Sequence, residues 1–325
     1  MLAACALVAR ADGDPLPRYA GRADVRDFID ELAVRDGFNA AELTALFAQI
    51  EPLPRVLDLI RPPTTPKAKS WLAYRAIFVE PKRIAAGRTF METHARALAR
   101  AQARHGVPRE IIAAIIGVET LYGRNTGNFE TLSTLTPLAF DYPPRSALFR
   151  AELRELLLLA RESGRDPASF RGSFAGALGL PQFLPSSLRR LGTDFDGDGR
   201  VDIAGSAEDA IGSVANYLAD YGWQRDAPIA MRVRIEGDAA AALAAGIEPV
   251  RTPGEWRAAG LAWSNYSGGG TADDVPELPV ALIDLPSPDV PAEYRFGYRN
   301  FWVLTRYNRS NNYAAAVMDL AAALK

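Results

Sequence analysis

Glu119 closes the segment "IIAAIIGVET", and on a helix three- and four-residue steps bring it to the face that carries Ile111, Ile112, Ile115 and Ile116. That face is the one a globular helix turns towards the core. A carboxyl there loses hydration and favours its neutral form unless a cation or several hydrogen bonds compensate. Such a residue is a paired structural acid or a proton donor. Glycoside cleavage uses a donor of this kind, normally beside a second carboxylate. It also needs groups for sugar hydroxyls and flat rings for sugar faces. Ser173 and Gln182 lie in a glycine-rich stretch, Tyr142 in "AFDYPP", Tyr217 ahead of Gly222, and Tyr307, Asn308 and Tyr313 in "RYNRSNNY". Any one tyrosine is more often a half-buried core residue than a sugar platform.

A second constellation is "DFDGDGRVDI". Asp194, Asp196 and Asp198 fall at positions one, three and five of a calcium loop, Gly199 at the sharp turn and Arg200 where a backbone carbonyl ligates. Three acids this close repel one another without a counter-ion, so a calcium loop explains them better than a solvated Asp-Gly turn. The departure is Gly205, which stands where a bidentate glutamate is expected; Glu208 or Asp209 must supply that ligand from a longer loop. With one such loop visible, the reading is a stabilising site rather than a sensor.

The elements that would position these groups are mostly helical. Short amphipathic helices run from Asp24 to Leu59, broken by "DGFN" and "EPLP", and "RPPTTPK" reads as a loop. "SWLAYRAIF" starts a helical stretch that Pro81 interrupts, and "RTFMETHARALARAQARH" predicts one helix ended by Gly106. "VPREIIAAIIGVETLYG" follows, with Pro108 placed for a first turn. "SALFRAELRELLLLARES" is a helix with a broad leucine face, whereas "GSFAGALGLPQFLPSSLRRLG" reads as a close-approach loop. "SAEDAIGSVANYLADYGW" is helical again. After Trp223 the texture changes: "PIAMRVRIEG" alternates as a strand does, and "YRFGYRNFWVLTRYN" mixes turn residues with strand-like runs. "NYAAAVMDLAAALK" returns to helix. The fold class is mainly α, of the α+β kind.

Composition excludes several functions. A formal charge of -2 without a basic cluster gives no reason to expect nucleic acid. Two histidines on one segment argue against a Ser-His-Asp triad or a histidine-rich metal site, and one cysteine excludes an internal disulfide. No apolar run reaches transmembrane length. "LAAC", ending at Cys5, looks like a lipoprotein cleavage site, and "ARA", ending at Ala11, like an ordinary export site. Residues 1–13 are therefore read as a residual export signal or a frayed terminus.

The motifs "GVETLYGR", "GSFAGALGLPQFLPSS", "DFDGDGRVDI", "DAIGSVANYLADYGW" and "FWVLTRYNRSNNY", in this order and spacing, resemble the family of membrane-bound lytic murein transglycosylase B over residues 24 to 325. The resemblance implies a helical domain (14–104), a lysozyme-like core (105–224) holding the calcium loop, a small β-rich domain (225–304), and a cleft segment with the final helix (305–325). It implies cleavage of the β-1,4 bond between N-acetylmuramic acid and N-acetylglucosamine in peptidoglycan, leaving a 1,6-anhydromuramoyl end. Glu119 matches the single catalytic acid, Ser173 the serine near it, Gln182 the glutamine beside the cleaved sugar, and Tyr74, Tyr217, Tyr307, Asn308 and Tyr313 the lining of the saccharide cleft. Leu148 stands where the family often has a tyrosine. The calcium ligands become Asp194, Asp196, Asp198, the Arg200 carbonyl and Asp209, with Glu208 as a rival and no organic cofactor. The resemblance further implies a periplasmic monomer, with or without a lipid anchor in the outer membrane, working beside cell-wall synthases such as penicillin-binding proteins. Two other readings stay open: a muramidase adding water, for which Asp141 is the nearest candidate base, and a non-catalytic peptidoglycan-binding scaffold.

Overall fold

Short polar breaks cut the first part of the chain into helices, as its sequence predicts. The computed structural model describes residues 19–51, 53–62, 70–265 and 275–325; Cys5, the export-signal reading of residues 1–13 and most of the "RPPTTPK" loop lie outside them. The chain forms two compact units, one from the residues up to Arg61 with Asn128–Ala177, the other from Pro62–Gly127 with Leu178–Lys325. These bounds differ from the sequence-based ones at 104 and 224.

In chain order the first unit begins with α1 (Ala23–Asp36), α2 (Ala40–Ala48) and α3 (Pro54–Ile60). The Asn39 side chain caps α2 by accepting from the backbone of Ala41 and Glu42. The second unit then contributes α4 (Trp71–Phe78), α5 (Pro81–Thr93), α6 (Ala95–His105) and α7 (Arg109–Thr120). The single helix expected from Arg88 to His105 is two, because His94 leaves helical geometry with φ -108 and ψ 25. Gly106 does end α6, in the left-handed region at φ 73, which costs glycine nothing.

The chain returns to the first unit through β1 (Phe129–Glu130), α8 (Thr131–Phe140), α9 (Ser146–Ser163) and β2 (Arg171–Gly172), with β1 and β2 paired antiparallel. Sequence reading assigned no element to α8. Its threonines and internal Pro137 weaken every local signal, yet all ten of its residues are buried. Thr134 and Thr136 satisfy their hydroxyls on backbone carbonyls within the helix.

The second unit is completed by α10 (Pro185–Leu191), α11 (Ala207–Asp220), β3 (Ala230–Glu236), α12 (Ala240–Ala244), α13 (Pro253–Ala258), β4 (Ala262–Asn265), β5 (Ala281–Ser287), β6 (Val290–Gly297), α14 (Arg299–Tyr307) and α15 (Asn311–Leu324). The four strands form an antiparallel sheet in the order β4-β3-β6-β5 around a core that includes Trp256, Trp263 and Phe296. Two sequence readings change here. Pro185–Leu191 is helical inside the stretch read as a loop, and "RNFWVLTRY" is α14 and not a strand, with Phe301, Val303 and Leu304 turned inward.

In this unit α7 packs against α5, α6, α11 and α15. It is therefore buried on nearly every side, not on one face only: Ile112, Ile115 and Ile116 are fully enclosed, each contributing about 1.5–3 kcal/mol of apolar burial.

A buried ion cluster joins the sheet to the helices. Arg295 on β6 is fully buried and pairs with Asp319 on α15 at 2.9 Å and Glu293 at 2.6 Å. Arg75 on α4 reaches the same Asp319 at 2.6 Å. Asp319→Ala should therefore lower stability by about 3–5 kcal/mol in denaturant titration, because Arg295 would keep only Glu293 as counter-charge. An unchanged midpoint would show that the cluster adds nothing net.

Candidate active site

Glu119 sits in the last turn of α7, and the way that helix ends decides how the carboxyl is held. Leu121 and Tyr122 adopt left-handed backbone with φ 51 and 58, directly ahead of Gly123 at φ 87. Each non-glycine residue there costs on the order of 1 kcal/mol. The Thr120 hydroxyl helps hold the turn, accepting from the Gly123 amide at 3.0 Å and donating to the Leu180 carbonyl at 3.0 Å. The Tyr122 ring fills the space left by Gly87 and Gly117, where a β-carbon would collide with it. Only small residues on α5 and α7 permit that contact.

Among the described residues no cation pairs with Glu119. Its partner is the Tyr313 hydroxyl, which donates to Oε1 at 2.6 Å. Burial pushes the Glu119 carboxyl up to about 7, against the opposing pull of the Tyr313 hydrogen bond. The residue is half-buried, and near neutral pH its carboxyl is divided between the acid and the carboxylate, so both forms are accessible there.

Aromatic side chains extend from this point. Tyr307 stacks on Tyr313 with centroids 6.2 Å apart and planes 13° apart, and Tyr217 meets Tyr307 at 4.8 Å. Their hydroxyls are pinned to backbone: Tyr307 donates to the Pro181 carbonyl at 2.6 Å and Tyr217 to the Arg306 carbonyl at 2.7 Å. Tyr74 on α4 is half-buried, its hydroxyl pKa raised by burial and then by the negative charge of Glu119. Asn308 is exposed just beyond α14.

Gln182 belongs to a tight hairpin in which Leu178 and Phe183 exchange both backbone hydrogen bonds, at 2.7 and 3.1 Å. The turn requires left-handed backbone at Gly179 (φ 64) and at Gln182 itself (φ 52). At Gly179 a β-carbon would meet the Ile203 carbonyl oxygen at 2.5 Å, so only glycine fits. The Gln182 amide nitrogen donates to the carbonyls of Gly179 at 2.9 Å and Thr126 at 3.0 Å, which fixes its plane and leaves the amide oxygen to accept.

Glu119, Tyr74, Gln182, Tyr217, Tyr307, Asn308 and Tyr313 thus lie in the second unit. Ser173 and Tyr142 belong to the first. The Ser173 hydroxyl accepts from the amides of Ala175 at 3.3 Å and Ala177 at 3.1 Å, leaving its proton to donate. Tyr142 is half-buried, and Leu148 stands exposed at 37 %. Asp141 is held by Arg22 at 2.5 Å and by the Tyr19 hydroxyl at 2.9 Å. Sequence reasoning missed Thr120 and Tyr122, whose turn leaves no local signal beyond Gly123.

The acidic loop is organised around Asp209, at the start of α11 and 1 % exposed. Its carboxylate accepts from the amides of Phe195 at 2.7 Å, Asp196 at 3.3 Å and Asp202 at 2.7 Å. One carboxylate oxygen from each of Asp194, Asp196 and Asp209 lies within 4.8 Å of the others. Converging oxygens with no cation among the described residues suit a hard divalent ion such as calcium. Asp198 accepts from the Arg200 amide at 2.9 Å, at the edge of this group. Glu208 is engaged elsewhere, in an ion pair with Arg100 at 2.8 Å. The geometry favours Asp209 over Glu208. The loop connects to the hairpin through the Leu180 amide, which donates to the Ile203 carbonyl at 2.9 Å.

The scaffold is mainly helical, and its second unit presents one glutamic acid of raised pKa hydrogen-bonded to a tyrosine, with further tyrosines and an oriented amide in the same unit. The chain belongs to the family described as the transglycosylase SLT domain, which it matches over residues 20–322. It is 36% identical over 317 residues to membrane-bound lytic murein transglycosylase B of Escherichia coli K12, covering 94% of this chain and 84% of that one. It is similar in structure to the soluble lytic transglycosylase SltB1 of Pseudomonas aeruginosa, with 43% identity, a TM-score of 0.83, and 93% and 98% of the two chains covered. The Escherichia coli lytic transglycosylase Slt35 in complex with calcium superposes with a TM-score of 0.79 at 35% identity, over 94% of each chain.

Two measurements follow from these arrangements. The Glu119 carboxyl is raised from 4.5 to about 7, so its contribution to stability is fully present below about pH 4.5 and lost as pH rises through 7. Glu119→Gln should equal the wild type in stability at pH 4.5 and exceed it by about 2–3 kcal/mol at pH 8, measured by denaturant titration at both values. An equal gain at both pH values would show that the carboxyl is not raised. Calcium chelation should lower the thermal midpoint of the wild type by several degrees and leave Asp209→Asn, already destabilised, nearly unmoved. A midpoint indifferent to chelator would remove the metal from this loop.

Proposed function

We propose that the protein is a lytic transglycosylase acting on peptidoglycan, cleaving the β-1,4 bond between N-acetylmuramic acid and N-acetylglucosamine and leaving 1,6-anhydromuramoyl ends. The observation that carries this reading is the lone Glu119 of raised pKa, with Oε1 held by Tyr313. With Oε1 accepting, Oε2 is the oxygen that carries the proton. It donates to the glycosidic oxygen as the C1–O bond breaks, and the departing sugar leaves as an alcohol. The substrate's own N-acetyl group stabilises the oxocarbenium-like centre. Glu119 is then a carboxylate, and the Tyr313 hydrogen bond stabilises that charge. Oε2 next takes the proton of the muramoyl C6 hydroxyl while its oxygen closes onto C1. Acid and base are one residue used twice, and no water enters.

In the second unit Tyr74, Tyr217, Tyr307 and Asn308 contact sugar and the Gln182 amide oxygen accepts from a sugar N–H or O–H; in the first unit, taken by itself, Tyr142 and the Ser173 hydroxyl are the groups suited to sugar. Support against a hydrolase comes from Asp141: a carboxylate committed to a guanidinium and a tyrosine is a poor base for activating water. Asp194, Asp196 and Asp209, with Asp198 and the Arg200 carbonyl, would hold a calcium ion, which would stiffen the backbone that supports the Gln182 hairpin. We assign the protein to the periplasm, where peptidoglycan lies; no helix among the described residues is long and apolar enough to cross a membrane.

Digestion of purified sacculi followed by mass spectrometry tests the reading. Anhydro ends, lighter by one water than hydrolysed ends, are expected from the wild type, with activity falling as pH rises through about 7. Glu119→Gln should bind sacculi and yield at least about a thousandfold less product. Reducing ends would make the protein a muramidase. Full activity in the variant would overturn the mechanism.

A further inference from the structure

The outward face of α14 carries a feature that the mechanism leaves unused. Arg299, Trp302 and Arg306 follow one another at three- and four-residue steps, so they share one stripe. The guanidinium of Arg299 lies 4.0 Å from the Trp302 ring centroid and that of Arg306 lies 5.0 Å away. All three residues are partly exposed, and the exposed Arg309 follows just past the helix. Stacking on a ring uses the flat face of a guanidinium and leaves the N–H groups at its edge free. Among the described residues no side-chain hydrogen bond or ion pair engages Arg299, Arg306 or Arg309. The nearby acid on α11, Asp220, is taken by Arg190 at 2.7 Å. Other guanidinium groups of the chain do have carboxylate partners, as Arg154 has Asp36 at 2.5 Å and Arg75 has Asp319 at 2.6 Å.

At the start of the stripe Arg299 also lines a cavity of about 210 Å³ with Gln224, Pro228, Leu278 and Tyr298. The Tyr298 hydroxyl is buried without a hydrogen-bond partner among the described residues. At the other end, the residue after Arg306 is Tyr307, which stacks on Tyr313 beside Glu119. Trp302 precedes Tyr307 by five residues, roughly 7.5 Å along the helix and about 140° around it, and Arg306 lies about 100° from Tyr307. A peptide of about five residues attached to a sugar at Glu119 spans up to roughly 17 Å.

We infer that the Arg299–Trp302–Arg306 stripe binds a peptide bearing free carboxylates, namely the stem peptide of the glycan being cleaved. The inference rests on the peptidoglycan reading above. Paired, unshared guanidinium edges suit carboxylates bidentately, and the ring between them covers the apolar stem backbone. A sugar chain alone offers such a stripe nothing to pair with. An anionic lipid surface would call for several exposed apolar residues, and on this face Trp302 stands alone among arginines.

The test compares uncrosslinked glycan strands carrying stems with the same strands stripped of them by an amidase. The full chain and its Arg299→Gln/Arg306→Gln variant are both assayed on both substrates. The side chains are replaced while the Arg306 carbonyl that holds Tyr217 stays in place. We expect the variant's KM on stem-bearing strands to rise roughly fivefold with kcat kept, and its kinetics on stripped strands to match the wild type. Added salt should erase the wild-type preference for stems. Arg306→Gln alone should fall between the two. Equal losses on both substrates, or none on either, would overturn the inference while leaving the transglycosylase reading intact. Loss of binding to phosphatidylglycerol vesicles with unchanged stem preference would overturn it in favour of a membrane surface. A wild type that cleaves neither substrate would overturn both readings.

Discussion

A carboxyl group removed from water is the constraint around which the second unit is organised. Desolvation alone would leave Glu119 neutral, a strong holder of its proton and a poor base once the proton had gone. The Tyr313 hydroxyl works in the other direction, because it bonds better to the ionised form. The two effects set one group between donating and accepting. That balance needs an apolar wall and a single fixed donor, and the structure supplies the wall with α7 buried on nearly all sides and the donor with α15.

The donor stays fixed because its neighbours are tied to backbone. Tyr313 is stacked by Tyr307, whose hydroxyl is bound to the hairpin at Pro181, and Tyr217 packs on Tyr307 while bonding to the Arg306 carbonyl. Each ring is therefore oriented by packing on one side and a hydrogen bond at its tip. Asp209 does similar work for the acidic loop, gathering three backbone amides onto one buried carboxylate. Such a charge tolerates burial only with that many donors, and a cation on its open side would complete the compensation.

Much of this was legible in the residues. The isoleucine spacing announced a buried Glu119, and the Asp-x-Asp-x-Asp-Gly pattern announced the loop, because both patterns are local and periodic. The strand "AMRVRIE" and the helices α9, α11 and α15 were read for the same reason. What stayed hidden depends on distant partners. The helix α8 is held by burial on all sides despite Pro137, and α14 reads as a strand until its aromatic and branched residues are seen packed on one face. The left-handed pair Leu121 and Tyr122 is imposed by Thr120 and by the room at Gly87 and Gly117, none of which a short window reveals. Asp209 outranks Glu208 only because Arg100 claims the latter.

The hairpin at 178–183 receives the turn after Glu119, the tip of Tyr307 and the acidic loop, and almost all its own contributions come from main-chain atoms: the amide and carbonyl of Leu180 and the carbonyls of Gly179 and Pro181. Main-chain atoms are common to every amino acid. Two residues of the hairpin are tied by more than that: Gly179 by its close approach to Ile203, and Gln182 by the side-chain bonds to Gly179 and Thr126. Descendants of this sequence can therefore vary the hairpin elsewhere without loosening the three segments it ties together.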